Sequence, residues 1–473
     1  MAIDNVSMPT KQMTGVKKTP LIAVMIIGAF IAVLNETLMN VALTDIMAQL
    51  NVGASTAQWL TTAYMLTIGI FIPTTAFLMQ KFTTRQLYIT AMSLFAFGTL
   101  IAGVSPNFSL LLIGRIIQAM GTGVILPLMS AVILSVIEPK KRGSVMGVLG
   151  VVILFAPAIG PTISGLIVEY LSWRMLFFTV LPIALFALVY SSIVLKNVMD
   201  LTNPKIDLVS IALSTLGFGG IVYGFSSAGK GGAGWSSAEV IIGLIVGFIG
   251  LILFVIRQNK LNEPMLSMKP FTHKLFAIGA MIMTLSMMAM FSSMILLPMF
   301  LQEAINVSPL QAGVVMLPGG VIMGLMSPIS GRLFDRFGAQ WLARIGLIIV
   351  FSMLFTFGTV DHNVSLGSII AIHSIMMFGI SLLMMPVMTM SLNQLPSELY
   401  PHGSAILNTV QQVAGAIGTA LLITIMSTRQ ESLIAKENLS TEIAMTSGVN
   451  AAFIFAGVTI VVAFVLSWFI RKK

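Results

Sequence analysis

Glu36 is a carboxylate inside an apolar run that extends from residue 20 to residue 43, in the stretch Asn35-Glu36-Thr37-Leu38-Met39-Asn40. An acidic side chain at the centre of a bilayer costs from roughly +2.5 kcal/mol upward, so one found there is expected to have work to do. The other buried charge is Arg115, inside the run 109–134. Counted from the expected outer surface, Glu36 lies about seven residues deep and Arg115 about six, roughly 10 Å and 9 Å along a helix. Two opposite charges at one depth survive by pairing. A carboxylate that takes and releases a proton beside a fixed guanidinium is chemistry for moving protons. A static structural ion pair would use the same two residues.

The elements that carry these groups follow from composition. The chain has 473 residues, 57% hydrophobic and 9% charged, with mean hydropathy +1.00. Soluble domains carry about 25% charged residues. The apolar runs are about 20 residues long rather than alternating over about 10, which gives an all-α integral membrane protein and excludes a membrane barrel. Fourteen spans are predicted, at 20–43, 57–79, 86–104, 109–134, 143–168, 175–195, 207–226, 237–257, 274–300, 310–330, 340–358, 365–390, 403–427 and 449–470. With the amino terminus in the cytoplasm, 20 of the 25 Lys and Arg fall inside, which places both termini there. The +9 charge is then a topology signal and not a nucleic-acid footprint. Residues 1–19 are a polar cytoplasmic segment without a cleavage pattern, so the first helix is expected to stay uncleaved.

Several chemistries are excluded. The chain has no cysteine, so thiolate metal sites and disulfides are absent. It has no Walker-type glycine loop for ATP. No metal cluster or nucleophilic triad falls at one depth, so a membrane-embedded enzyme is disfavoured and no cofactor is expected.

An internal repeat sets the organisation. Residues 73–83 and 328–338 align, with Pro73 on Pro328, Leu78 on Leu333, Lys81 on Arg336 and Phe82 on Phe337. The first loop joins spans two and three, the second joins spans ten and eleven. An offset of eight requires two extra helices between two six-helix halves. The expected division is 20–200, a two-helix insert at 201–262, and 263–473. Parallel repeats of this kind are a transporter design with the substrate site between the halves.

Four motifs carry a family resemblance. The loop Gly331-Arg332-Leu333-Phe334-Asp335-Arg336-Phe337-Gly338 has glycines for a tight turn and charges that can latch helix ends. In its first-half copy Gln80 replaces the acid, and Ala76 and Thr83 replace the glycines. Leu111 to Gly121 carries Arg115 and Gln118. Gly147 to Gly165 carries Gly150, Pro157, Gly160, Pro161 and Gly165, which interrupt a helix and permit close approach. Asn408, Gln411, Gln412, Gly415 and Gly418 mark span thirteen. From about residue 30 to residue 425 the chain resembles the fourteen-helix drug–proton antiporters of the major facilitator superfamily, most of all bacterial lincomycin-resistance and quaternary-ammonium-resistance efflux proteins. The resemblance implies a monomeric transporter of the bacterial cytoplasmic membrane that exports small amphipathic molecules against inward proton flow. In it Glu36, Arg115 and Asn35 couple protons. The 147–165 motif seals against proton leak, and Gly331, Asp335, Arg336 and Gly338 form a cytoplasmic gate. The family acid stands at the position of Asn35, so here it has moved one residue, about 100° of helix rotation.

Asn40, Tyr64, Gln118, Asn408, Gln411 and Gln412 are candidate cavity residues, with interhelical hydrogen bonding as the plain alternative. His373 is a buried core histidine or a second proton site. The 35 methionines suit an adaptable site or serve as apolar filler. Export of a physiological solute such as a lipid, amino acid or metabolite would use the same motifs.

Overall fold

A computed structural model describes residues 18–52, 54–57, 59–138, 142, 145, 156–198, 201, 207–228, 234–262, 264–437 and 439–470. The described regular structure is helical, with no strand among these residues. In hydrocarbon each backbone N–H and C=O must be satisfied within its own segment, and a helix does this. The long helices are α1 (Lys18–Leu50), α2 (Trp59–Lys81), α3 (Thr84–Gly103), α4 (Phe108–Val136), α5 (Ala156–Tyr170), α6 (Trp173–Val194) and α7 (Leu208–Ala228). They continue with α8 (Ala238–Lys260), α9 (Lys274–Glu303), α10 (Pro309–Phe337), α11 (Ala339–Phe357), α12 (Leu366–Asn393), α13 (Tyr400–Glu437) and α14 (Thr441–Ser467).

Twelve of the described helices are long and apolar enough to cross a membrane, and α2 makes a thirteenth if its two parts, bent by 50° at Pro73, are one span. Proline removes a backbone donor and crowds the preceding turn, which accounts for the bend. The described part of α5 is too short to count, and most of the expected first half of that span, including Gly150, lies outside the described residues. So does nearly all of the segment 1–19.

Short polar residues start several of the helices. Asn107 and Ser365 accept from the backbone N–H of Leu110 and Ser368. Thr83 and Ser308 form capping boxes with Gln86 and Gln311. The two copies of the repeated loop therefore turn differently. Thr83 caps α3 at φ −65°, whereas Gly338 links α10 to α11 at φ +76°, a conformation that favours glycine.

Helix packing obeys the offset of eight. The pairs α1–α5, α1–α6, α2–α4, α3–α4 and α3–α6 recur as α9–α13, α9–α14, α10–α12, α11–α12 and α11–α14. The crossing pair α2–α13 recurs as α10–α5. Helices α7 and α8 pack on each other through a glycine seam, where a Cβ on Gly220 would lie 2.7 Å from the Gly247 Cα. Small residues let backbones approach where lipid supplies no hydrophobic drive. α7 rests on α2 and α13. α8 turns Ile242, Ile245, Phe248, Ile249 and Ile252 outward.

Candidate functional site: a buried charge cluster

Helix α1 carries Asn35 and Glu36 inward, at 2% and 8% exposure, so the one-residue shift of the acid leaves both side chains buried. Helix α4 brings Arg115 and Gln118 to the same place, both at 0% exposure. Arg115 Nη1 donates to Gln118 Oε1 at 2.8 Å and to the Asn35 carbonyl at 3.5 Å. Gln118 in turn donates from Nε2 to Thr99 Oγ1 at 2.7 Å on α3, which locks the amide oxygen toward the guanidinium. The Arg115 Cζ lies 3.9 Å from the ring centroid of Tyr64 on α2. The Tyr64 hydroxyl shares a hydrogen bond of 2.8 Å with Thr122 Oγ1. A desolvated cation over an aromatic face gains about 2 kcal/mol or more.

The contact of Arg115 with the Asn35 carbonyl puts the guanidinium beside the residue that precedes Glu36. Contact with the acid itself is another matter. Among the described residues, Glu36 and Arg115 form no ion pair within 4.0 Å. Arg115 Nε and Nη2 and Asn35 Nδ2 are buried without a hydrogen-bond partner. A guanidinium with free donors can engage an ionised carboxylate, and it can keep its place when that carboxylate is neutral.

α5 packs on α1 directly after the acid. A Cβ on Gly160 would overlap Thr37 Oγ1, so only glycine permits this approach. Ser164 Oγ donates to the Leu38 carbonyl at 2.6 Å. The helix that carries Gly160 therefore grips the two residues that follow Glu36. α5 also meets α10, with Gly165 facing Leu310 and Gly313 facing Thr162. Pro157 and Pro161 lie in α5, and their side chains, like that of Asn40, lie outside the described residues.

The span-thirteen polar residues sit elsewhere. Asn408 donates to its own helix at the Ser404 carbonyl, 2.8 Å away. Gln411 keeps a buried unpaired Nε2, and Gln412 is half-buried. Gly331, Asp335, Arg336 and Gly338 end α10, where Arg336 lies over the Phe337 ring at 5.2 Å.

Sequence reading missed the contacts between the halves at the opposite end of α4. Arg142 donates to Asn393 Oδ1 at 3.0 Å and to the Leu134 carbonyl at 2.8 Å, with its Cζ 4.8 Å from the Tyr400 ring. The Ser267 N–H donates to His402 Nδ1 at 3.1 Å. His402 Nε2 lies 2.9 Å from the Gln80 side-chain amide nitrogen. Gln80, standing where the loop signature has an acid, thus reaches His402 on α13. Arg142 carried only a positive-inside signal, and nothing local marked His402.

The family model of the Major Facilitator Superfamily matches residues 25–419. The chain belongs to this superfamily. Its superfamily relatives include the lincomycin resistance protein LmrB of Bacillus subtilis strain 168, 46% identical over 461 residues that cover 96% of each chain. The lincomycin resistance protein LmrB of Listeria monocytogenes is also 46% identical, over 97% of this chain and 98% of its own. The multidrug resistance protein B homolog of Mycobacterium tuberculosis H37Rv is 30% identical over 89% of this chain and 78% of its own. The fold matches the crystal structure of the human organic anion transporter MFSD10, with a TM-score of 0.67, 13% identity, and coverage of 95% and 99%. It also matches the proton:xylose symporter XylE, with a TM-score of 0.64 at 14% identity over 95% of each chain. The protein is a multi-pass membrane transporter and not an enzyme.

Proposed function

We propose that this protein exports amphipathic drugs, lincomycin among them, in exchange for protons, working as a monomer in the bacterial cytoplasmic membrane. The observation that carries the proposal is the arrangement of Glu36 and Arg115: two buried charges within electrostatic reach, the cation held by Gln118, Tyr64 and the Asn35 carbonyl rather than by the acid. Glu36 is the proton carrier. Ionised, it draws on the free donors of Arg115; protonated, it leaves a guanidinium that is already supported. Buried charge is tolerated in both states, as a cycle between them requires. α5, seated on Thr37 and Leu38, transmits the change at Glu36 to α10 and excludes water behind the acid.

The division into 20–200, 201–262 and 263–473 gives two bundles that rock about the α2–α13 and α5–α10 crossings. Gln80, Arg142, Asn393 and His402 close the cytoplasmic end, alongside the Gly331–Gly338 loop. The likeness to lincomycin and multidrug resistance proteins favours drugs over a physiological solute. In proteoliposomes with an imposed pH gradient, the protein is expected to move lincomycin, and Glu36→Gln is expected to insert normally and not move it. Undiminished gradient-driven transport by Glu36→Gln would contradict proton coupling through this residue.

A further inference from the structure

The internal repeat places a second polar group where the first half has Arg115. Arg115 is the eighth residue of α4, and His373 is the eighth residue of α12. Both helices start on a capping side chain, and both have glycine six residues further on, Gly121 and Gly379. Each of these glycines lies against the preceding helix, so that a Cβ would come within 3.0 Å of Phe95 N or of Ile349 Cβ. The register is therefore set by packing as well as by counting.

The neighbouring helix obeys the same register. Tyr64 stands nine residues before Pro73, and Gly319 stands nine residues before Pro328. Tyr64 lies on Arg115, and Gly319 lies on His373, where a Cβ would come 2.8 Å from Nε2 and overlap Cδ2. The first half pairs a ring on α2 with a cation on α4. The second half moves the ring to α12 and leaves the α10 position empty of side chain.

His373 is 2% exposed, and its Nδ1 is buried with no hydrogen-bond partner. An unpaired buried polar atom costs about 1–3 kcal/mol, so its retention calls for a partner at another point of the cycle. Among the described residues, no ion pair is formed by the ring. An imidazolium there would be an uncompensated buried charge, which disfavours a proton as that partner. A neutral imidazole can donate or accept through the free nitrogen, depending on its tautomer. Met376, Met377 and Met384 are buried on the same helix, and thioethers adapt to apolar bodies of varied shape.

We infer that His373, seated in the notch left by Gly319, binds an uncharged hydrogen-bonding group of the exported molecule, a hydroxyl or an amide. The proton site of the first half and this substrate site of the second would then occupy equivalent positions in the two repeats. The inference rests on the drug-export function proposed above.

The test is gradient-driven transport of lincomycin, a hydroxyl- and amide-bearing drug, by the purified full-length protein in proteoliposomes. The unaltered protein is compared with His373→Ala, His373→Asn and Gly319→Ala, each checked for monodisperse insertion. The expected result is a KM raised about tenfold in His373→Ala and Gly319→Ala and about threefold or less in His373→Asn, with maximal rates within about twofold. Gly319→Ala keeps the imidazole but displaces it, so it tests the site even if His373→Ala fails to fold. A KM unchanged in both Gly319→Ala and His373→Ala would overturn the assignment. So would an equal collapse of maximal rate and proton flux in His373→Ala and His373→Asn, which would make His373 a proton carrier. Failure of the unaltered protein to move lincomycin would instead contradict the drug-export function itself.

Discussion

Arg115 lies on the ring of Tyr64, 3.9 Å from its centroid, and not on the carboxylate of Glu36. A fully buried guanidinium is thus anchored by neutral groups, with two of its nitrogens left unpaired. This makes the cation a fixture and the acid the variable partner. A guanidinium locked on Glu36 would oppose protonation of the acid; one held beside it can respond to either state.

Arg115→Lys keeps the charge but not the planar fork that serves Gln118 and the Asn35 carbonyl together. Drug-stimulated proton release is expected to fall at least about tenfold, corresponding to about 1.4 kcal/mol or more of lost interaction. Stopped-flow measurement with a pH-sensitive dye checks this. Tyr64→Leu is expected to weaken release less, since it removes the ring and leaves both hydrogen bonds.

Gly160→Ala drives a methyl group into Thr37 Oγ1. Overpacking of this kind costs about 1–3 kcal/mol. The thermal midpoint of the detergent-solubilised protein is expected to drop, and transport with it. Thr37→Ala in the same chain removes the clashing oxygen and is expected to restore most of both. A double mutant no better than Gly160→Ala would place the cost elsewhere.

The contacts of Arg142 and His402 join the two repeats at one end of the molecule. The chain has no cysteine, so a single introduced thiol reports cleanly. Ser404, fully buried with its hydroxyl on the Pro127 carbonyl at 2.9 Å, is the position to label. In Ser404→Cys, adding Arg142→Ala is expected to speed labelling by a membrane-impermeant maleimide from the cytoplasmic side by about tenfold, the effect of losing one charge-assisted contact.

Asp207 and Arg257 form a 2.7 Å ion pair that staples α7 to α8 outside the site. The hydrogen bond from Arg257 holds the Asp207 carboxyl well below the usual carboxylate range. A folded-state value below the unfolded one gives stability that is present at neutral pH and is lost only as pH falls through the folded value. Asp207→Asn is therefore expected to melt earlier than the unaltered protein at pH 7, with the gap persisting near pH 4, where a free aspartate is already about half protonated. A gap that has closed by pH 5 would contradict the pairing.

Much of this architecture was legible because membrane helices obey simple rules. Helix rise is fixed, so counting from the ends of two apolar runs put Glu36 and Arg115 at one depth. The loops at Pro73 and Pro328 disclosed the offset of eight that the packing pairs obey. Partners were less legible. Gln118 was within reach, since it lies three residues from Arg115 on one helix face. Tyr64 is legible as a cavity candidate, but its seat on Arg115 depends on how α2 packs on α4; Thr99 comes from α3, and no local pattern names it. Gly160 could be read as a close-approach residue, but the identity of Thr37 opposite it depends on how α5 tilts on α1. Arg142 and Asn393 are separated by 251 residues, and their types fit an ordinary basic loop and an ordinary helix end.

The central claim is that Glu36 carries the exchanged proton. The most direct measurement is the release of protons from the purified, detergent-solubilised protein in weakly buffered solution on addition of lincomycin. The unaltered protein should release protons in a saturable manner, and Glu36→Gln should bind the drug and release none. Equal release from Glu36→Gln would contradict the account.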